Sequence, residues 1–445
     1  MRKLGEFFTR LSKRYLPDPF IFAILLTLLV YVLGLVFTTH GPVQLIEDWY
    51  RGFWNLLAFS MQMVLILVTG HAIATAPVVN DALRRLASLP RSGAGAVWLV
   101  AFLSALLGWI NWGLGLIAGA VLAKEVAAQG KARGVKVHYP LAAAAGYTGL
   151  VIWHGGLSGS APLLVNTQKH FLEAKIGLVP LSQTIFTPFN LVIAAAILVV
   201  APLVLRAMTP PREATEEIAP EQAAGLVART RQAPPPATPA ERLEQAWWLT
   251  ALVVLAGLIY LVRFYAEKGI LGLDLNVVNF TFLVLGLLLH GRPMAYARAI
   301  ADGARASAGI ILQFPFYAGI MGLMSNSGLV GVIAGWFVAI STPFTYPFWT
   351  FVSASIINLA VPSGGGQWAV QGPIMVEAAQ RLNVDIGRTI MAVAYGDELT
   401  NMIQPFWALP LLGITGLKVG EVMGYTAAMM LVVFVIMALG LLFLP

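Results

Sequence analysis

The stretch GDELTNMIQP, Gly396 to Pro405, sets two adjacent acids, a threonine, two amides and a proline inside an apolar run extending from Thr389 to Ile414. A charge at mid-bilayer costs at least about 2.5 to 3.5 kcal/mol on insertion scales, so acids that persist there usually have a function. The run reads as a spanning helix (389–414) that is unwound in its middle. Freed backbone groups are tolerated in hydrocarbon only where protein or a cavity covers them. Asp397 and Glu398 are therefore candidates to bind a coupling Na⁺ or to relay a proton, and the plainer reading is a pair neutralised by a Lys or Arg at a helix end. Thr400, Asn401 and Gln404 follow as neutral ligands, which puts a possible Na⁺ near Asp397 and Asn401.

Three similar interruptions occur elsewhere. The run Leu141 to Val165 is broken at His154-Gly-Gly-Leu-Ser-Gly-Ser-Ala-Pro162 and predicts a second unwound helix (141–165). Gly108-Trp-Ile-Asn-Trp-Gly-Leu-Gly115 breaks 96–128, and Pro362-Ser-Gly-Gly-Gly-Gln367 breaks 347–380; each reads as a re-entrant hairpin. Four breaks imply one shared cavity, where half-helix N-termini and bare amides can hold a carboxylate while carbonyls and hydroxyls coordinate a cation. The candidate substrate ligands are Asn111, His154, Ser158, Ser160, Ser363, Gly364, Gly365, Gln367, Thr400 and Asn401; those for ion coupling are Asp397, Glu398, Asn401 and Gln404. Each has a plainer reading: Asn111 as a turn cap, His154 as a hydrogen-bonded bundle histidine, and the glycines as sites of tight helix packing. His71, Glu125 and Glu377 read as structural.

The rest of the chain explains why the bilayer is the solvent. Of 445 residues, 58% are hydrophobic and 11% charged, too little polar surface for a water-soluble fold of this length. A spanning helix needs about 20 apolar residues, and such runs recur from Pro19 to Thr38 onward; the first lacks a cleavage site and is not a signal peptide. The formal charge of +7 is scattered over short loops and does not form a nucleic-acid surface. Cysteine is absent, which excludes disulfides and thiolate metal sites.

The two halves match weakly at a steady offset. Phe59 to Ile73 aligns with Ala306 to Ile320, Trp98 with Trp349, Glu125 with Glu377 and Pro162 with Pro405, at offsets of 243 to 252 residues. Such repeats mark transporter architecture. The expected fold is an all-α polytopic membrane protein of two inverted repeats, about nine spanning helices and two hairpins, divided into scaffold and transport domains. Residues 1–207 form the first repeat, 208–245 an exposed cytoplasmic linker rich in Pro, Glu and Arg, 246–265 a connecting helix, and 266–445 the second repeat. With the N-terminus inside, 21 Lys and Arg fall in inside loops and 7 in outside loops, as the positive-inside rule requires. Gly328 to Ser341 is apolar but short, and it is placed along the interface with its partner, Val79 to Ser92.

The strings WHGGLSGSAPL from Trp153, VPSGGGQWAVQGP from Val361 and GDELTNMIQPFWALPLLGI from Gly396 resemble those of the bacterial short-chain fatty acid transporter family over nearly the full chain. The resemblance implies a bacterial inner-membrane protein that takes up acetoacetate- or butyrate-like monocarboxylates. A more distant likeness, to dicarboxylate/sodium symporters and aminobenzoyl-glutamate transporters, implies a dimerising scaffold and a transport domain that moves as an elevator. In those symporters Ser-Asn-Thr motifs bind carboxylate and Na⁺; here the tips read Trp-Ile-Asn-Trp and Pro-Ser-Gly-Gly-Gly, so element positions transfer better than residue identities.

No nucleotide-binding loop of the form G-x-x-x-x-G-K-[ST] is found, which leaves secondary coupling or facilitated diffusion, with no cofactor beyond a coupling ion. Two rivals remain: a passive organic-anion channel, and an intramembrane serine protease suggested by Gly156-Leu-Ser-Gly159, for which His170 and His290 are the downstream histidines.

Overall fold

The computed structural model describes residues 19–224 and 237–445; the basic residues Arg2 to Arg14 and the triplet Pro234 to Pro236 lie outside them. The described chain is helical, with no strand. Among the described residues seven helices are long and apolar enough to cross a membrane: Phe20–Phe37, Leu57–Ala74, Gly93–Ile110, Pro188–Ala207, Pro239–Lys268, Ala308–Asn326 and Val419–Phe443.

The first half comprises α1 (Pro19–Phe37), α2 (Pro42–Gly52), α3 (Leu57–Ala74), α4 (Pro77–Ala87), α5 (Gly93–Ile110), α6 (Trp112–Ala132), α7 (Tyr139–Gly146), α8 (Ser160–Val165) and α9 (Pro188–Ala207). The second comprises α10 (Trp247–Lys268), α11 (Leu275–His290), α12 (Pro293–Ala304), α13 (Ala308–Asn326), α14 (Leu329–Ile340), α15 (Tyr346–Asn358), α16 (Gly364–Leu382), α17 (Ile386–Thr400), α18 (Pro405–Thr415) and α19 (Val419–Phe443). Prolines open α2, α4, α9, α12 and α18, where the missing N–H goes unneeded. Gly291, Asn383 and Gly416 end α11, α16 and α18 with positive φ of 68, 55 and 71°.

All four interruptions are present, with shifted edges. α5 and α6 pack on each other and turn at the single residue Asn111. α15 and α16 are joined by 359–363. After α7 the chain runs through 3₁₀ turns at Thr148–Val151 and Trp153–Gly155 before α8, so the first break opens at Tyr147, ahead of the expected His154. The second break is correspondingly shorter. Gly396, Asp397, Glu398 and Thr400 belong to the last turns of α17, and unwinding is confined to the 3₁₀ turn Asn401–Ile403 and the extended Gln404. The helix holds through Gly396 because α15 presses on that face: a Cβ there would lie 2.5 Å from the Phe351 carbonyl oxygen and 2.8 Å from the Ser355 nitrogen. Gly108, in turn, lies against Gly149 so closely that a Cβ would meet its Cα at 2.5 Å, which brings the first hairpin onto the first break.

α14 has 12 residues, about 18 Å at 1.5 Å per residue, short of the roughly 30 Å of a hydrocarbon core. The linker is not bare over its described first part. Ile218 is buried at 1% exposure, its carbonyl accepts from Lys131 Nζ at 2.8 Å, and the Glu216 backbone donates to the His138 imidazole at 3.0 Å and accepts from the Tyr139 amide at 2.8 Å.

Candidate functional site

The two breaks and the two hairpin turns meet in a buried polar junction. It is tied by side chains that the apolar helices leave no alternative but to pair with backbone. From the first hairpin, Asn111 accepts from the Leu114 amide at 3.0 Å and so caps α6, while its own amide nitrogen has no hydrogen-bond partner. Ser158, in the first break, accepts from the Trp112 amide at 3.0 Å. Leu157 donates to the Trp109 carbonyl at 2.7 Å. The first hairpin turn is thereby sewn to the first break.

The second hairpin is joined to the second break by Asn358, at the end of α15. Its amide nitrogen stands 2.5 Å from the Asp397 carbonyl, 2.9 Å from Thr400 Oγ1 and 3.0 Å from Asn401 Oδ1. Gln404 donates to the Asn358 carbonyl, and Thr400 donates to that of Ser355 at 3.0 Å. Ser363 caps α16 through the Gly366 amide at 3.3 Å. Gln367 donates to the Ala354 carbonyl at 2.8 Å and to Gln371 at 3.0 Å, and its own oxygen has no hydrogen-bond partner.

The breaks also join each other. Tyr147 donates to the Asn401 carbonyl at 2.9 Å, and Glu398 accepts from the His154 amide at 2.7 Å. His154 Nδ1 lies 2.9 Å from the Ala394 carbonyl and 3.5 Å from Asp397 Oδ2. Its Nε2 points at Gly364, where a Cβ would overlap the ring. The neighbouring acids thus stand differently: Glu398 is held by a backbone amide, whereas both oxygens of Asp397 are buried without a hydrogen-bond partner. Among the described residues no Lys or Arg forms an ion pair with either. An indole cluster covers one side, with Trp112 at 5.8 Å from Trp153 and 5.4 Å from Trp407.

Asn111, His154, Ser158, Ser160, Gly364, Gly365, Gln367, Asp397, Glu398, Thr400, Asn401 and Gln404 are all buried, and Ser363 is half-buried. Ser160 and Gly365 face outward from the junction. Ser160 donates to Met63 Sδ of α3 at 3.3 Å, and Gly365 packs under Phe59 of α3. The amides Asn358, Gln371 and Asn190, the last donating to the Gly155 carbonyl of the first break at 3.0 Å, and the hydroxyl of Tyr147 are members that sequence reasoning missed. The available signal was an amide within an apolar helix, as in Ser-Ile-Ile-Asn358-Leu. Ser158 lacks a protease's geometry, since the rings of His170 and His290 bond to the carbonyls of Gly177 and Ala72. Glu125 pairs with Arg84 at 3.2 Å, and Glu377 with Arg381 at 3.0 Å and with Lys175. Na⁺ or a proton would suit the oxygens of Asp397, which receive no hydrogen bond; Asn401 and Gln404 are instead gathered around Asn358.

The family model described as Short chain fatty acid transporter matches residues 1–444. A protein of Escherichia coli (strain K12), provisionally named short-chain fatty acid transporter, is 45% identical over 439 residues, covering 99% of each chain. One of Haemophilus influenzae with the same provisional name is 40% identical over 449 residues, again covering 99% of each. Among solved structures, the YdaH transporter of Alcanivorax borkumensis superposes with a TM-score of 0.55 at 18% identity over 95% of this chain and 98% of its own. MtrF of Neisseria gonorrhoeae, described with a class of antimetabolite efflux pumps, does so with a TM-score of 0.59 at 17% identity over 96% and 95%. At that identity the likeness concerns the fold.

Proposed function

The chain belongs to the short chain fatty acid transporter family, and on that premise we propose that it is a secondary transporter carrying an acetoacetate- or butyrate-like monocarboxylate across the bacterial inner membrane together with Na⁺ or H⁺. The observation that carries this reading is the junction itself. Two interrupted helices and two hairpin turns bury Asp397, neither of whose oxygens receives a hydrogen bond, beside the imidazole of His154 and an indole wall. A buried carboxylate in that state calls for a cation or a proton, and the indoles supply apolar surface for a short acyl chain. The half-helix N-terminus at Gly364 favours the substrate carboxylate.

The rest of the mechanism follows the same reading. The two halves are inverted repeats with about nine spanning helices and re-entrant hairpins. α5 to α8 and α15 to α18 form a transport domain that moves against α1 to α3 and α10 to α13, and the scaffold pairs two copies. The N-terminus is cytoplasmic.

Purified protein in liposomes should accumulate C2 to C6 monocarboxylates when a Na⁺ or H⁺ gradient is imposed, with saturation. Running counterflow in sodium and sodium-free buffers identifies the ion. Asp397→Asn should weaken the ion dependence, and an unchanged ion response would remove Asp397 from coupling. Uptake that ignores every gradient and does not saturate would instead mean a channel.

A further inference from the structure

Away from the junction, a cavity of about 680 Å³ lies between α2, α3 and α13 on one side and the loop after α8 with Pro373 of α16 on the other. Its lining is asymmetric in a way the junction does not require. The exposed rim carries two cations, Arg51 and Lys169, with the amide of Asn55, and the lining holds no Asp or Glu. Two acids outside the lining touch the rim residues. Glu47 lies 3.5 Å from Arg51 on the same helix, and Glu173 accepts from the Lys169 backbone amide. The Arg51–Glu47 pair is 69 and 58% exposed, so it holds the guanidinium weakly. Burial keeps His170 below its ordinary pKa, against the raising effects of the Gly177 carbonyl and Glu173, so at neutral pH the cationic character of the lining comes from Arg51 and Lys169.

The floor is of the opposite kind: Phe59, Leu164, Met321 and Pro373 are buried. Phe59 also forms the partition to the junction. Its ring is 5.7 Å from that of Phe314, and a Cβ on Gly365 of the second hairpin would lie 2.7 Å from Phe59 Cζ and 3.2 Å from Phe314 Cζ. One aromatic layer thus separates the cavity from the hairpin turn.

We propose that this cavity is an antechamber that binds the substrate before the junction does, with Arg51 and Lys169 drawing the carboxylate and the Phe59 floor taking the acyl tail. The ligand class is a small anion with one charged end and one short apolar end. This rests on the monocarboxylate reading above and adds a second site to it. A cavity lined by charge of one sign raises the local concentration of the opposite ion, an effect that salt weakens.

The chain has no cysteine, so a single Asn55→Cys variant reports on the rim alone. In proteoliposomes, butyrate should protect that thiol from a membrane-impermeant maleimide, half-maximally near its transport KM. The double variant R51Q/K169Q should raise the KM for butyrate at least about threefold with kcat within about twofold, and should flatten the fall of wild-type uptake with ionic strength. Wild-type protein that transports butyrate while the thiol reacts at one rate with and without it, or while R51Q/K169Q keeps the wild-type KM and salt response, overturns the antechamber and leaves the transport reading intact. Failure of wild-type protein to transport any C2 to C6 acid would overturn the transport reading itself.

Discussion

Gly364 shows how closely single residues are specified. Its Cα faces His154 Nε2, and a methyl group there would overlap the ring and press on Trp153, whose Cη2 lies 2.8 Å from the added Cβ. Overpacking of this kind costs about 1 to 3 kcal/mol. Gly364→Ala should therefore lower thermal stability in detergent and abolish uptake, because the second hairpin can no longer seat on the first break. A variant with wild-type melting and uptake would show that the turn does not rest on His154. At this scale the sequence was informative about location and less so about role. Gly364, His154 and Asp397 were legible because polar or glycine residues interrupt apolar runs. Asn111, Ser158 and Ser363 were legible as positions too, but their bonds to Leu114, Trp112 and Gly366 satisfy backbone amides, and nothing in their spacing distinguishes a cap from a ligand. Asn358 was missed because it lies five residues before Ser363 on the apolar side of the turn, and its partners come from α17 and the turn that follows it, about 40 residues later in the chain.

The broken helices depend on each other more than on themselves. Each leaves backbone groups without a helical partner, and the opposite break takes up a carbonyl of one and an amide of the other. Tyr147 reaches the Asn401 carbonyl, and the His154 amide reaches Glu398. This is why the edges of the breaks were hard to read from local sequence. Glycine, serine and proline mark where unwinding is permitted, but where it occurs depends on packing from an element remote in sequence, such as α15 against Gly396. The existence of all four interruptions was legible; their limits at Tyr147 and Asn401 were not. Tyr147→Phe keeps the ring and removes one hydrogen bond, worth about 1 kcal/mol. If the breaks act together, the variant should show a weaker apparent ion affinity in uptake assays with a small loss of stability. Loss of stability with an unaltered ion response would make the bond purely structural.

For the whole molecule, two contacts test movement and its surroundings. Ser160 of α8 donates to Met63 of α3 at 3.3 Å, across the boundary proposed to slide. In this cysteine-free chain a Met63→Cys/Ser160→Cys pair bridged by a short bifunctional reagent should stop uptake, with recovery when a cleavable bridge is reduced; continued uptake while bridged would exclude relative motion there. The second contact concerns the linker, which composition alone describes as polar and unable to build a core, yet whose Ile218 is buried. His138 accepts from the Glu216 amide through Nδ1 at 3.0 Å, which requires that nitrogen to be unprotonated, and its Nε2 lies 2.9 Å from the Tyr425 hydroxyl. Burial lowers the His138 pKa from its ordinary value, while the charge of Glu216 acts the other way. A histidine that is harder to protonate when docked stabilises docking fully above its free pKa of about 6.5, and that contribution is lost as pH falls below it toward the docked value. Protection factors at residues 215–219 should therefore fall between pH 7.5 and 5.5, so that exchange slows less than the intrinsic pH trend, and His138→Gln should remove that difference. Exchange that follows the intrinsic trend in both proteins would mean that the linker is held by Lys131 and Ile218 without help from the imidazole.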